Sequence, residues 1–178
     1  VTLARHGGSL PHWEVRLLQT AWNDIDRSLE DVRPEDLTRQ IRGGSSFAWT
    51  LGHITHGIDS WINVRFLELD PHPLYEDGRF LFGGDGRADD WSNIQNAVNE
   101  IRGRALPFLL NGATDLDQVV PYDGSFQPCR KHGMQLRAAI LQNTVHHVFH
   151  LGEIVTKREW LGYSTDQYPG DYTAAMLR

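Results

Sequence analysis

The sequence predicts an all-α protein, a four-helix bundle with a crossover connection and long interhelical loops. Three observations carry this expectation, the first two being that four long segments repeat apolar residues at helical spacing and that the stretches between them are rich in Gly, Pro and Asp. The third is size, since 178 residues, 40% hydrophobic and 22% charged, suffice for one well-filled core. A single domain over residues 1–178 is therefore expected.

The first helix is expected from about Pro11 to Glu30, where Leu18, Ala21, Trp22, Ile25 and Leu29 form an apolar stripe. Ser45 and Ser46 offer caps for a second, from Phe47 to about Leu69, stopped by Asp70-Pro71-His72-Pro73. Residues 74–90, with Gly83-Gly84-Asp85-Gly86, suggest a loop. Asp89 or Asp90 caps a third helix through Trp91, Ile94, Val98, Ile101, Ala105 and Phe108, which Asn111-Gly112 closes. Gln118 to Tyr122, followed by Asp123-Gly124, suggests a short extended excursion with a turn. The fourth helix, about Met134 to Leu161, is the longest.

With 17 basic and 23 acidic residues the net charge is −6, and the only lysines are Lys131 and Lys157. That argues against a nucleic-acid partner, which needs clustered cations. No segment approaches the roughly 20 apolar residues of a membrane span, and Val1 to His12 lacks an apolar leader. A cytoplasmic protein is expected. The lone Cys129 excludes a disulfide framework and a Cys-rich zinc cluster, and it suits a reducing compartment. Any metal site must then be built from the nine histidines.

His146 and His150 lie one turn apart and about 40° around a helix axis, so both can reach one ion. Alone this is a weak signal. Gln142, Asn143, His146, His150, Glu153 and Lys157 gather into one stripe, while Ile140, Val145, Val148, Phe149, Leu151 and Val155 fill the rest of the circumference. The stripe could be a solvated face, yet residues 138–152 contain no charged residue, which favours the lining of an interior pocket. On the second helix His53 shares its face with Ser46, Gly57, Ser60 and Val64, mostly small residues that leave room for an ion and a ligand. His56, about 60° away, can stand behind a ligand, replace one or be exposed. For His56 and His147 a surface or supporting imidazole is the favoured reading.

Trp49-Thr50-Leu51-Gly52-His53-Ile54 and His146-His147-Val148-Phe149-His150-Leu151-Gly152-Glu153 together resemble the DinB/YfiT-like superfamily. The resemblance covers nearly the whole chain. It implies a four-helix bundle, often a homodimer, that binds one divalent metal through His53, His146 and His150. Glu153 stands where Gln is commoner in that family, and residues 74–90 and 113–133 are less family-like.

Three neutral imidazoles leave an ion, zinc or nickel for such ligands, with at least one open position, as in catalytic zinc sites. Asn143, Ser60, Asp59 and Glu153 are candidates to accept the ligands' outer N–H groups, and Asn143, Ser60 and His56 are expected to line the pocket. Glu153 is the candidate general base or orienting group, or else an ordinary surface carboxylate. The chain has no Glu-x-x-His, H-E-x-x-H, G-x-x-x-x-G-K or G-x-S-x-G, so di-iron, metalloprotease, P-loop and hydrolase-elbow chemistries lack their parts. The resemblance suggests an enzyme that activates a thiol or water for a small-molecule substrate, with a low-molecular-weight thiol as a possible co-substrate. The alternatives are a non-catalytic metal-binding stress or interaction protein, and a bundle whose histidines bind nothing.

Overall fold

The computed structural model describes residues 10–177. The expectations for Val1 to Ser9, His6 and the missing leader among them, lie outside the described residues. The helices are α1 (Trp13–Glu30), α2 (Pro34–Leu37), α3 (Phe47–Gly57), α4 (Trp91–Leu110), α5 (Gln127–His132), α6 (Leu136–Leu161) and α7 (Tyr172–Met176). The four long ones form a bundle whose core is built from Leu18, Ile25, Phe47, Ile54, Ile101, Ile140 and their neighbours.

Packing runs from α1 to α6, from α6 to α3 and from α3 to α4. Two ion pairs, each with one buried partner, set the direction of the first contact. Glu14, at the start of α1, pairs with Arg137 at the start of α6, and Asp31, just past α1, pairs with Arg158 near the end of α6. The two helices therefore run parallel, a relation that no short turn can produce. His12, just before α1, donates to the Thr114 carbonyl just past α4, so α4 ends where α1 and α6 begin. The crossover is therefore the segment 67–90 from α3 to α4. In residues 111–135, which join α4 to α6, β1 (Val119–Val120) pairs antiparallel with β2 (Met134–Gln135), Val119 opposite Gln135. The extended excursion expected at 118–122 is this ladder. The lone Cys129 sits in the short α5.

Ser46 caps α3 by accepting from the Trp49 N–H, and Asp90 caps α4 by accepting from the Asn93 N–H. Ser45, the other expected cap, turns its hydroxyl elsewhere. The second helix was expected to continue to about Leu69 as one α-helix. Instead it changes at Ile58 into a π-helix that ends at Phe66, and the altered turn rotates everything beyond Gly57 away from an α-helical projection. Asp59 and Asn63 are thereby buried. Residues 67–90 form a loop longer than the expected 74–90, with one 3₁₀ turn at Pro73–Tyr75. No helix among the described residues is long and apolar enough to cross a membrane.

The expected faces of α6 need correction. Val145, Val148 and Phe149 were placed among the apolar residues of the helix, away from its polar stripe, yet they are exposed, Phe149 by 72%. His147, read as a surface or supporting imidazole, is wholly buried. Burial here follows the flanking helices rather than residue type. With α1 and α3 on its two sides, α6 turns Ala139, Ile140, Asn143, His147, Leu151 and Ile154 inward.

Candidate metal centre

The antiparallel contact of α3 with α6 brings His53 opposite His146 and His150. One nitrogen from each of these three rings lies within 4.8 Å of the other two. His53 Nε2 and His146 Nε2 are 3.2 Å apart. The ring centroids of the trio are separated by 4.8 to 5.1 Å, each pair edge to face.

Two of the rings are oriented through their other nitrogen. His53 Nδ1 donates to the Phe80 carbonyl at 2.7 Å, and His150 Nδ1 donates to Glu153 Oε2 at 2.7 Å. Both protons are thus held on Nδ1, which leaves the Nε2 lone pairs free. His53 is also stacked on Trp49, with centroids 4.8 Å apart. Burial pushes the His53 imidazole below its ordinary value. Burial, reinforced by the charges of His150 and His53, takes His146 down to about 4. Both rings are neutral at pH 7, the form that ligates.

Tetrahedral bonds of 2.0–2.1 Å give a nitrogen–nitrogen edge of roughly 3.3 Å, close to the His53–His146 separation. At that distance His146 Nε2, whose proton no outer partner among the described residues holds on Nδ1, either donates to His53 Nε2 or shares a cation with it. Three imidazoles, two of them with their outer N–H groups fixed, can therefore hold a metal ion.

Glu153 is engaged on both oxygens: besides His150, it accepts from Ser45 Oγ at 2.5 Å and pairs with Lys157 Nζ. Burial raises its pKa, but the hydrogen bonds from His150, Lys157 and Ser45 outweigh that and hold it well below the carboxylate range. A cavity of about 200 Å³ opens on two of the three rings, His53 and His146, with His56, Gly57, Ser60, Trp61, Gln142 and Asn143 in its wall. The expected pocket residues His56, Ser60 and Asn143 are all in its wall. None accepts a ligand's outer proton: Asn143 Nδ2 donates to Ala139 O within α6, the Ser60 carbonyl accepts from Arg65, and Asp59 accepts from the His72 amide. His56 stands edge-on to Tyr75, and burial lowers its pKa.

Sequence reasoning missed the Phe80 carbonyl, Trp49, Thr50 and the Ser45–Lys157 contact. Trp49 carried a signal, four residues before His53. A loop carbonyl carries none. Beyond Glu153 a second groove of about 440 Å³ is walled by Ile41, Arg42, Phe149, Gly152, Thr156 and Trp160. A larger cavity, about 960 Å³ between α1 and α4, has no histidine in its wall. Donor chemistry, not volume, singles out the smaller one.

Fold and site together define a helical-bundle protein able to hold a metal ion on three histidines. The sequence profile of the DinB superfamily matches residues 17–154, and the chain belongs to that superfamily. The match takes in all three histidines. Searches of curated proteins and of solved structures gave no match.

Proposed function

We propose that this protein is a metal-dependent enzyme that holds one divalent ion, zinc or nickel, on His53, His146 and His150, and uses the open position to activate a thiol or water. A thiol-dependent transferase or a hydrolase is the reaction type. The observation that carries this reading is the convergence of three imidazole nitrogens within 4.8 Å, two of them Nε2 atoms 3.2 Å apart, beside a small polar cavity. Bound there, the ion supplies Lewis acidity and lowers the pKa of the group it activates. The chain's own residues do the rest. Phe80 and Glu153 fix the ligand rings. His56, Ser60 and Gln142 offer polar contacts to a small substrate, and Trp61 closes one wall. Glu153, with both oxygens engaged, supports an orienting role better than that of a general base.

Protein expressed without a histidine tag is expected to contain about one zinc or nickel per chain by elemental analysis, and His146→Ala to lose it. Metal-free protein whose stability is indifferent to chelators would sink the reading. A screen of low-molecular-weight thiols against electrophilic substrates, comparing wild type with His53→Ala, then tests turnover. Equal background rates in a metal-loaded protein would favour a non-catalytic metal-binding role. The exposed Phe149 beside the site gives that alternative its foothold, as a contact surface. Light scattering tests the homodimer that family membership suggests.

A further inference from the structure

Lys157 is the odd residue around the trio. Its side chain is only 3% exposed, although burying an ammonium is costly. All three of its protons are used: Nζ pairs with Glu153 Oε1 and donates to Ser45 Oγ at 2.8 Å and to Thr50 Oγ1 at 3.2 Å. Ser45 and Thr50 come from the start of α3, and Glu153 and Lys157 from α6. The same Glu153 Oε1 accepts from Ser45, while Oε2 faces His150. His150, Glu153 and Lys157 stand at i, i+3 and i+7 along one face, so the chain of contacts ends at the metal-facing ring.

Resting on the metal reading above, we propose that Lys157 is a positioning residue that pins Glu153 to His150 Nδ1 and keeps its carboxylate out of the ion's coordination sphere. A carboxylate is a good zinc ligand, and two histidines with one glutamate is an established donor set. Released from its cation, a partly buried carboxylate one turn from an open metal position has the ion as its strongest remaining partner. A fourth protein ligand would close the site. Held by Lys157, Glu153 is neutralised locally, and the open position keeps its attraction for an incoming anion such as a thiolate.

Cobalt(II) as the bound metal and azide as the anionic probe test this through the visible absorption of the cobalt. In wild type, azide is expected to shift the spectrum. In Lys157→Met, Glu153 takes the open position and azide affinity falls at least about tenfold, and adding Glu153→Gln to Lys157→Met restores it. Ser45→Ala, which removes one anchor of Oε1 without disturbing a charge, is expected to weaken azide about threefold. It decides the matter if Lys157→Met fails to fold. Wild-type azide affinity in a folded Lys157→Met overturns the proposal, as does an unchanged Ser45→Ala where that variant decides. Wild type that takes up no cobalt overturns the metal reading instead.

Discussion

His147 shows how far one imidazole can depart from its neighbours. It lies between His146 and His150 in sequence, yet it points into the core, where Nδ1 contacts the Asn143 carbonyl at 2.8 Å and Nε2 is buried without a partner. Burial, aided by the charge of Arg102, pushes its pKa down to about 3. The unfolded chain takes up a proton near 6.5 that the folded chain refuses. Stability is therefore complete above that pH and drains away as pH falls toward 3, by about 1.4 kcal/mol per pH unit. His147→Leu removes the unpaired nitrogen at similar volume. It should leave stability at pH 7 unchanged or raise it by about 1 kcal/mol, and urea titrations between pH 7 and pH 4 should show a shallower acid limb. At this scale His53, His146 and His150 were legible, because helical spacing and small neighbours mark them. The orientation of His147 was not, since which arc of a helix is buried depends on where two other helices lie.

Among the elements, the α3–α6 contact decides whether the histidines can meet. At one end it is tied by Ser45, Thr50, Glu153 and Lys157. At the other, Gly57 lies so close to α6 that an added Cβ would stand 2.3 Å from Asn143 Oδ1. Replacing Gly by Ala inside a helix ordinarily stabilises by about 0.5–1 kcal/mol. Here overpacking wins, and Gly57→Ala is expected to cost about 1–3 kcal/mol in chemical denaturation and to lower metal occupancy as the helices part. Helix existence and order were readable from apolar spacing. The switch to π-helix at Ile58 was not, because it follows from packing of Asp59 and Asn63 against other elements: Asp59 accepts from the His72 amide and Asn63 donates to the Ile101 carbonyl.

For the whole molecule, the parallel run of α1 beside α6 is the organising relation. Arg158 is fully buried and donates to Asp31, to the Ser28 carbonyl and to the Ser164 carbonyl. One side chain thus joins the end of α1 to the end of α6 and to the segment that follows. Arg158→Met keeps the length but strands two carbonyls, and equilibrium unfolding should show a loss of about 3 kcal/mol. The bundle class was legible from four periodic segments. The pairing of their ends was not, since Glu14, Asp31, Arg137 and Arg158 look like ordinary solvated charges in sequence.

The hydrogen bond from His53 Nδ1 to the Phe80 carbonyl reaches beyond the site. Phe80 belongs to the loop between α3 and α4, and its ring lies where Gly52 leaves room for it: a Cβ at that position would stand 2.5 Å from the ring. The loop thus sets the tilt of one ligand. An ion held by the trio would gain from an ordered loop and, by reciprocity, would steady that loop by the same free energy. Residues 67–90 would then be a reporter strapped to the site, its order rising and falling with occupancy.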